Sequence, residues 1–93
     1  MVIGVLHLHL AIREANSLKD KRRVVKGLRD RIRNEFNVSI SEVDDQDRRR
    51  SARLAVALVT GRRDFADQVL SKVVSHVRRT PGAQLVDYET EIL

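Results

Sequence analysis

An α+β sandwich of element order βαββαβ, with a four-stranded antiparallel sheet and two helices on one face, is predicted by three features of the 93-residue sequence. Residues 17–36 and 63–79 place apolar side chains at three- and four-residue spacing, the period of an amphipathic helix. Residues 2–12, 38–44, 51–60 and 85–92 alternate in parity or run apolar over strand lengths. Between them stand only four Gly and one Pro, with no linker-like tract, so residues 1–93 read as a single domain.

The first strand alternates Val2, Leu6, Leu8, Leu10 and Ile12 with Ile3, Val5, His7, His9 and Ala11, and the Leu row is the better core face. Ser17 then offers an N-cap hydroxyl, with Asp20 as an Asp form of the capping box, so a helix starts at Leu18. Asn37 suits the reversal after it. A second strand turns Val38 and Ile40 inward, and the polar run DDQDRRR forms a hairpin loop into a third strand carrying Leu54, Val56 and Leu58. After Gly61 the second helix buries Ala66, Val69, Leu70, Val73 and Val77, and Pro81-Gly82 stops it. The last strand alternates Val86, Tyr88 and Ile92 with Asp87, Glu89 and Glu91. Phe36, Phe65 and Tyr88 are expected in the core. This order is the split βαβ unit of the ferredoxin-like sandwich, and right-handed crossovers give the spatial strand order 4-1-3-2. One sheet face stays open, with His7, His9 and Arg53 beside the row Asp87, Glu89 and Glu91.

Charge is concentrated in one element. Residues 17–36 hold 8 Lys/Arg and 3 Asp/Glu, which equals the whole formal net charge of +5. Leu18, Val25, Leu28, Ile32 and Phe36 share one arc of this helix. Lys19, Arg22, Arg23, Lys26, Arg29 and Arg33 form an adjoining ridge that only Asp30 interrupts. A solvated, solubilising face accounts for some of this charge. A ridge in which Arg outnumbers Lys also suits a polyanion, through bidentate phosphate contacts and counterion release. Arg48, Arg49 and Arg50 in the hairpin loop add a second basic patch.

Several chemistries find no support in the sequence. With no Cys there is no disulfide, thiolate metal site or Cys nucleophile. No serine elbow, P-loop or dinucleotide fingerprint occurs, because Gly4, Gly27, Gly61 and Gly82 are isolated. Asp44, Asp45 and Asp47 lack the spacing of a calcium loop and read as a solvated turn paired with the arginines that follow. His7 and His9 with nearby carboxylates could ligate a metal, but pairing with Glu89 or Glu91 on an amphipathic face is the favoured reading. No catalytic residue, metal ligand or cofactor is therefore assigned. The N-terminus reads as neither signal peptide nor membrane span, and a cytoplasmic location is expected.

Three stretches, SLKDKRRVV from Ser17, FNVSISEVDDQD from Phe36 and LVTGRRD from Leu58, resemble the YlxP-like family of small bacterial proteins, a domain of unknown function (503). The likeness covers nearly the whole chain. It implies a ferredoxin-like fold and no established reaction or cofactor. Family members resemble ribosome-maturation factors in size and in being encoded near translation genes. They usually carry a large apolar or aromatic residue after the Gln-Asp pair, where this chain has Arg48, Arg49 and Arg50.

The leading functional expectation is a non-enzymatic module that binds structured RNA or a ribosomal particle through Lys19, Arg22, Arg23, Lys26, Arg29 and Arg33, with Arg48, Arg49 and Arg50 contributing. The first and third strands hold no aromatic residues, so contact would be electrostatic rather than by base stacking on the sheet. The alternative expectation is a homo-oligomer that pairs through the open sheet face or an edge strand, with the helix merely solvated.

Overall fold

The computed structural model describes residues 1–93. It contains β1 (Val2–Ala11), α1 (Leu18–Glu35), β2 (Ser39–Asp44), β3 (Ser51–Thr60), α2 (Arg63–Arg78) and β4 (Gln84–Ile92). The sheet order is β2-β3-β1-β4, every pair antiparallel. β1 and β3 pair without interruption from Val2↔Thr60 to Ala11↔Ser51. Their shared register puts Leu6, Leu8 and Leu10 on the same face as Val56, Leu54 and Ala52, all buried. The helices cover that face, α1 over β2 and α2 over β1, β3 and β4. A methyl group on Gly4 would sit 3.1–3.3 Å from Leu58, Leu70 and Ala66, so the missing side chain is what lets α2 approach the sheet there.

β4 departs from the expected alternation. Leu85 pairs with Leu10 but Asp87 pairs with His9, leaving Val86 as an extra residue in a bulge. Val86 is therefore 51% exposed, and Leu85 takes the inward place and packs against the core, as Ile92 does at the far end of the strand. Two of the three aromatics expected in the core also lie outside it. Tyr88 is 44% and Phe65 46% exposed, while Phe36 packs against the core edge-on to His76. Tyr88 lies on an edge strand and borrows the guanidinium of Arg78, 5.8 Å from its ring centroid, as partial cover.

α1 begins as its sequence demands. Ser17 Oγ accepts from the Asp20 N–H at 3.1 Å, and Asp20 Oδ2 accepts from the Asn16 N–H, one residue before the usual reciprocal partner. Its buried face contains Val25, Leu28, Ile32 and, with no exposure at all, Lys21. The Lys21 ammonium has three protons and meets three carbonyls of the β2–β3 hairpin: Asp45 at 2.6 Å, Ser51 at 3.0 Å and Gln46 at 3.4 Å. Glu42 Oε2 lies 2.9 Å away and balances the charge without itself lying in hydrogen-bond geometry.

Asp45 completes this cage from the other side. Its backbone is left-handed, φ 61°, a conformation Asp tolerates better than most residues. Its Oδ2 accepts from Ser51 Oγ at 2.8 Å and lies 3.3 Å from Arg53 Nε, while Oδ1 lies 3.9 Å from Arg48 Nε. The Ser51 hydroxyl first, and then the charges of Arg48 and Arg53, hold the Asp45 carboxyl below the usual carboxylate range, against some desolvation. Arg50 Nε closes the other flank on the Ala15 carbonyl at 3.1 Å.

Removing one partner of a buried pair strands the other, so Lys21→Met should cost about 3–5 kcal/mol. Glu42→Gln leaves the ammonium its three carbonyls but takes away its counter-charge, so it should cost somewhat less but still well above a surface substitution. In the apolar part of the same face, Leu28→Ala should cost about 2–5 kcal/mol, while Lys26→Ala on the solvated flank stays within about 0.5 kcal/mol. Urea unfolding of the four variants checks both orderings. The lowered pKa of Asp45 contributes stability that is present above its unfolded value and lost as pH falls through the folded one. Asp45→Asn tolerates the same backbone, so it should destabilise at pH 7 and flatten the fall in stability below about pH 4, measured by urea midpoints at pH 7 and 3.

Candidate nucleic-acid interface

The predicted ridge forms along α1, but its six cations are not equivalent. Lys19, Arg22, Arg23, Lys26 and Arg33 are exposed and Arg29 is half-buried at the border of the apolar face. Only Lys26 is ion-paired, to Asp30 at 2.7 Å, and that hydrogen bond is the main reason the Asp30 carboxyl lies below its usual range. Arg33 Nη2 donates to the Ile40 carbonyl at 3.1 Å, which commits one end of its guanidinium to the edge strand β2. Arg29 Nε is buried without a hydrogen-bond partner. Within the ridge, the solvated and unpaired charge therefore sits toward the N-terminal half of α1, at Lys19, Arg22 and Arg23, with Lys26 exposed but paired to Asp30.

The hairpin arginines divide in the same way. Arg50 is used on the Ala15 carbonyl, Arg48 leans toward Asp45, and Arg49 is exposed with no ion pair. Because Lys21 binds the hairpin from the first turn of α1, the second basic patch is held beside the N-terminal end of the first. One buried ammonium thus fixes the position of both patches.

On the open sheet face, His7 Nε2 lies 3.3 Å from Glu91 Oε1, the pairing expected for an amphipathic face. His9 instead turns to Ser51, its Nε2 3.2 Å from Oγ. Serine, histidine and aspartate thus meet, but in an order that does not activate a nucleophile. A base histidine stands between serine and carboxylate, whereas here Ser51 stands between and sends its proton to Asp45. A carboxyl held below its usual range is a weak base, so Ser51 serves as a strut whose carbonyl also holds Lys21.

Sequence reasoning missed Lys21, Glu42 and Ser51. For two of them a signal existed. Lys21 stands four, seven and eleven residues before Val25, Leu28 and Ile32, in the middle of the buried arc. Glu42 shares the parity of the inward Ile40. A lysine and a glutamate both assigned to inward positions point to a buried pair. Nothing marks Ser51.

Comparison with known proteins places this geometry. The chain is 33% identical over 90 residues to an uncharacterised protein, YlxP, of Bacillus subtilis strain 168, covering 97% of this chain and 98% of that one. Among solved structures, the de novo designed protein Foldit4 superposes with a TM-score of 0.57 at 10% identity, over 100% of this chain and 97% of that one. The designed protein LFR1 1 with ferredoxin fold gives 0.53 at 14%, over 99% and 85%. LarC2, the C-terminal domain of a cyclometallase involved in synthesis of the NPN cofactor of lactate racemase, gives 0.54 at 9%, over 100% of this chain and 55% of that one. At such identities these structures share the ferredoxin-like fold alone. The family profile described as "Protein of unknown function (DUF503)" matches residues 3–90, and with this coverage and the bacterial relative the chain belongs to that family.

Proposed function

We propose that this domain is a non-enzymatic binding module for structured RNA or a ribosomal particle, with the outer face of α1 as its contact surface. The observation that carries the reading is the division of the α1 cations. The one lysine that the fold requires, Lys21, is buried and neutralised by Glu42, whereas Lys19, Arg22 and Arg23 stay solvated with no acidic partner. Like charges at three- and four-residue spacing repel, a cost that a bound phosphate track offsets while releasing its counterions. The exposed Arg48 and Arg49, on the hairpin that Lys21 ties to the first turn of α1, add a second basic patch near that end of the helix.

Two of the ridge cations are unsuited to a charge test. Arg33 grips β2 and Arg29 is half-buried, so changing them would mix charge removal with altered packing. Lys19, Arg22, Arg23 and Lys26 are exposed, and replacing these four with Gln keeps helix propensity nearly constant. The quadruple variant should fold with unchanged circular dichroism and bind structured ribosomal RNA more weakly. The salt dependence of its affinity should fall in slope by up to about one unit for each phosphate it no longer neutralises, with similar weakening across RNA sequences. Unchanged affinity and slope would move the site elsewhere. A wild-type protein that binds no RNA at low salt would end the reading.

A further inference from the structure

We infer that the same surface ends in a nucleobase pocket, so that the preferred RNA is a structured one with an unpaired, flipped-out nucleotide rather than a uniform duplex. This rests on the RNA-binding reading and goes beyond it by naming the RNA class.

The ridge does not stop at Arg33. That residue borders a shallow groove with Asn37, Leu58 and Val59, and the same three line a deeper hollow of about 500 Å³ between the C-terminal end of α1 and the first turns of α2. Phe36 and Phe65 line this hollow together with Lys72. Its size is in the range of small-ligand sites. Phe65 is nearly half-exposed, so a large aromatic face is left for an occupant.

The lining chemistry selects among occupants. Phe65 supplies an exposed stacking face and the partly buried Phe36 an apolar wall, Asn37 supplies a donor and an acceptor, and Arg33 and Lys72 supply positive charge for the flanking phosphates. Glu35, the one acid in the lining, is engaged by His76 Nε2 at 3.0 Å. A cationic row running into an aromatic hollow matches a nucleotide, with phosphates on the row and base in the hollow. An apolar protein segment would leave the cations unanswered. Bases can be splayed into such a pocket only from loops, bulges and ends, which is how RNA is commonly told apart from regular helix.

The test compares two RNA hairpins of one stem sequence, capped by the same tightly folded tetraloop and differing only by a single bulged nucleotide in the stem, by fluorescence anisotropy. The bulged hairpin should bind about fivefold or more tightly, the scale of one base–aromatic stack. Phe65→Leu, at a half-exposed position, should abolish that preference and leave affinity for the paired hairpin unchanged. Because the chain has no Trp, Phe65→Trp installs a single reporter, which should retain the preference and be quenched by the bulged hairpin only. Equal binding of both hairpins, with the ridge variant still impaired, would overturn the pocket and spare the ridge. Binding of neither would overturn both. Trp emission that changes with protein concentration in the absence of RNA would assign the hollow to a second copy of the chain and overturn the inference.

Discussion

A lysine ammonium withdrawn from water is tolerable only if each proton finds an acceptor and its charge a partner, and the arrangement of this domain around Lys21 follows from that demand. The acceptors are carbonyls at both shoulders of one hairpin, Asp45 and Gln46 on the way out and Ser51 on the way back. To present them, Asp45 takes a left-handed backbone and its side chain ties Ser51 and Arg53. The first turn of α1 is thereby pinned to the β2–β3 loop, a region that apolar contact alone would leave loosely held. Two of the stretches that carry the family resemblance, around Lys21 and around Glu42 and Asp45, are the two that this contact joins.

The layers separate charge as well as polarity. With both helices on one face, the cations of α1 look outward from that side, and the carboxylates Asp87, Glu89 and Glu91 line the opposite face beside His7 and His9. The two sides of the sheet thus differ in the sign of their prevailing charge, which gives the domain an electrostatic polarity.

Much of this is readable in the residues. Element order, strand order and the buried leucines of β1 follow from periods of two and 3.6, because long, strongly patterned segments leave little choice of face. What escapes is of two kinds. The bulge at Val86 is a local offset that flips parity in mid-strand, and strict alternation has no means of expressing it. The exposure of Tyr88 on its edge strand reflects how far a two-helix layer can reach over a four-stranded sheet, a tertiary fact with no local signature. Phe65, by contrast, stands about 100° off the Ala66, Val73 and Val77 stripe of α2, a signal that the helical period does carry. Within the ridge the pattern correctly groups six cations, but which of them are free depends on where the neighbouring strand's carbonyls fall, as Arg33 on Ile40 illustrates.

That last contact bears on how the sheet ends. An open four-stranded sheet offers two unpaired rims, each a template on which another chain could grow. At one rim β2 is short, its pairing slips between Glu42 and Asp44, and the Ile40 carbonyl is already capped by the Arg33 side chain. At the other, β4 starts with a bulge and then sets a carboxylate at every second position, so a like strand laid alongside would meet charge against charge. Both rims are thus guarded against the templated stacking that leads to fibrils.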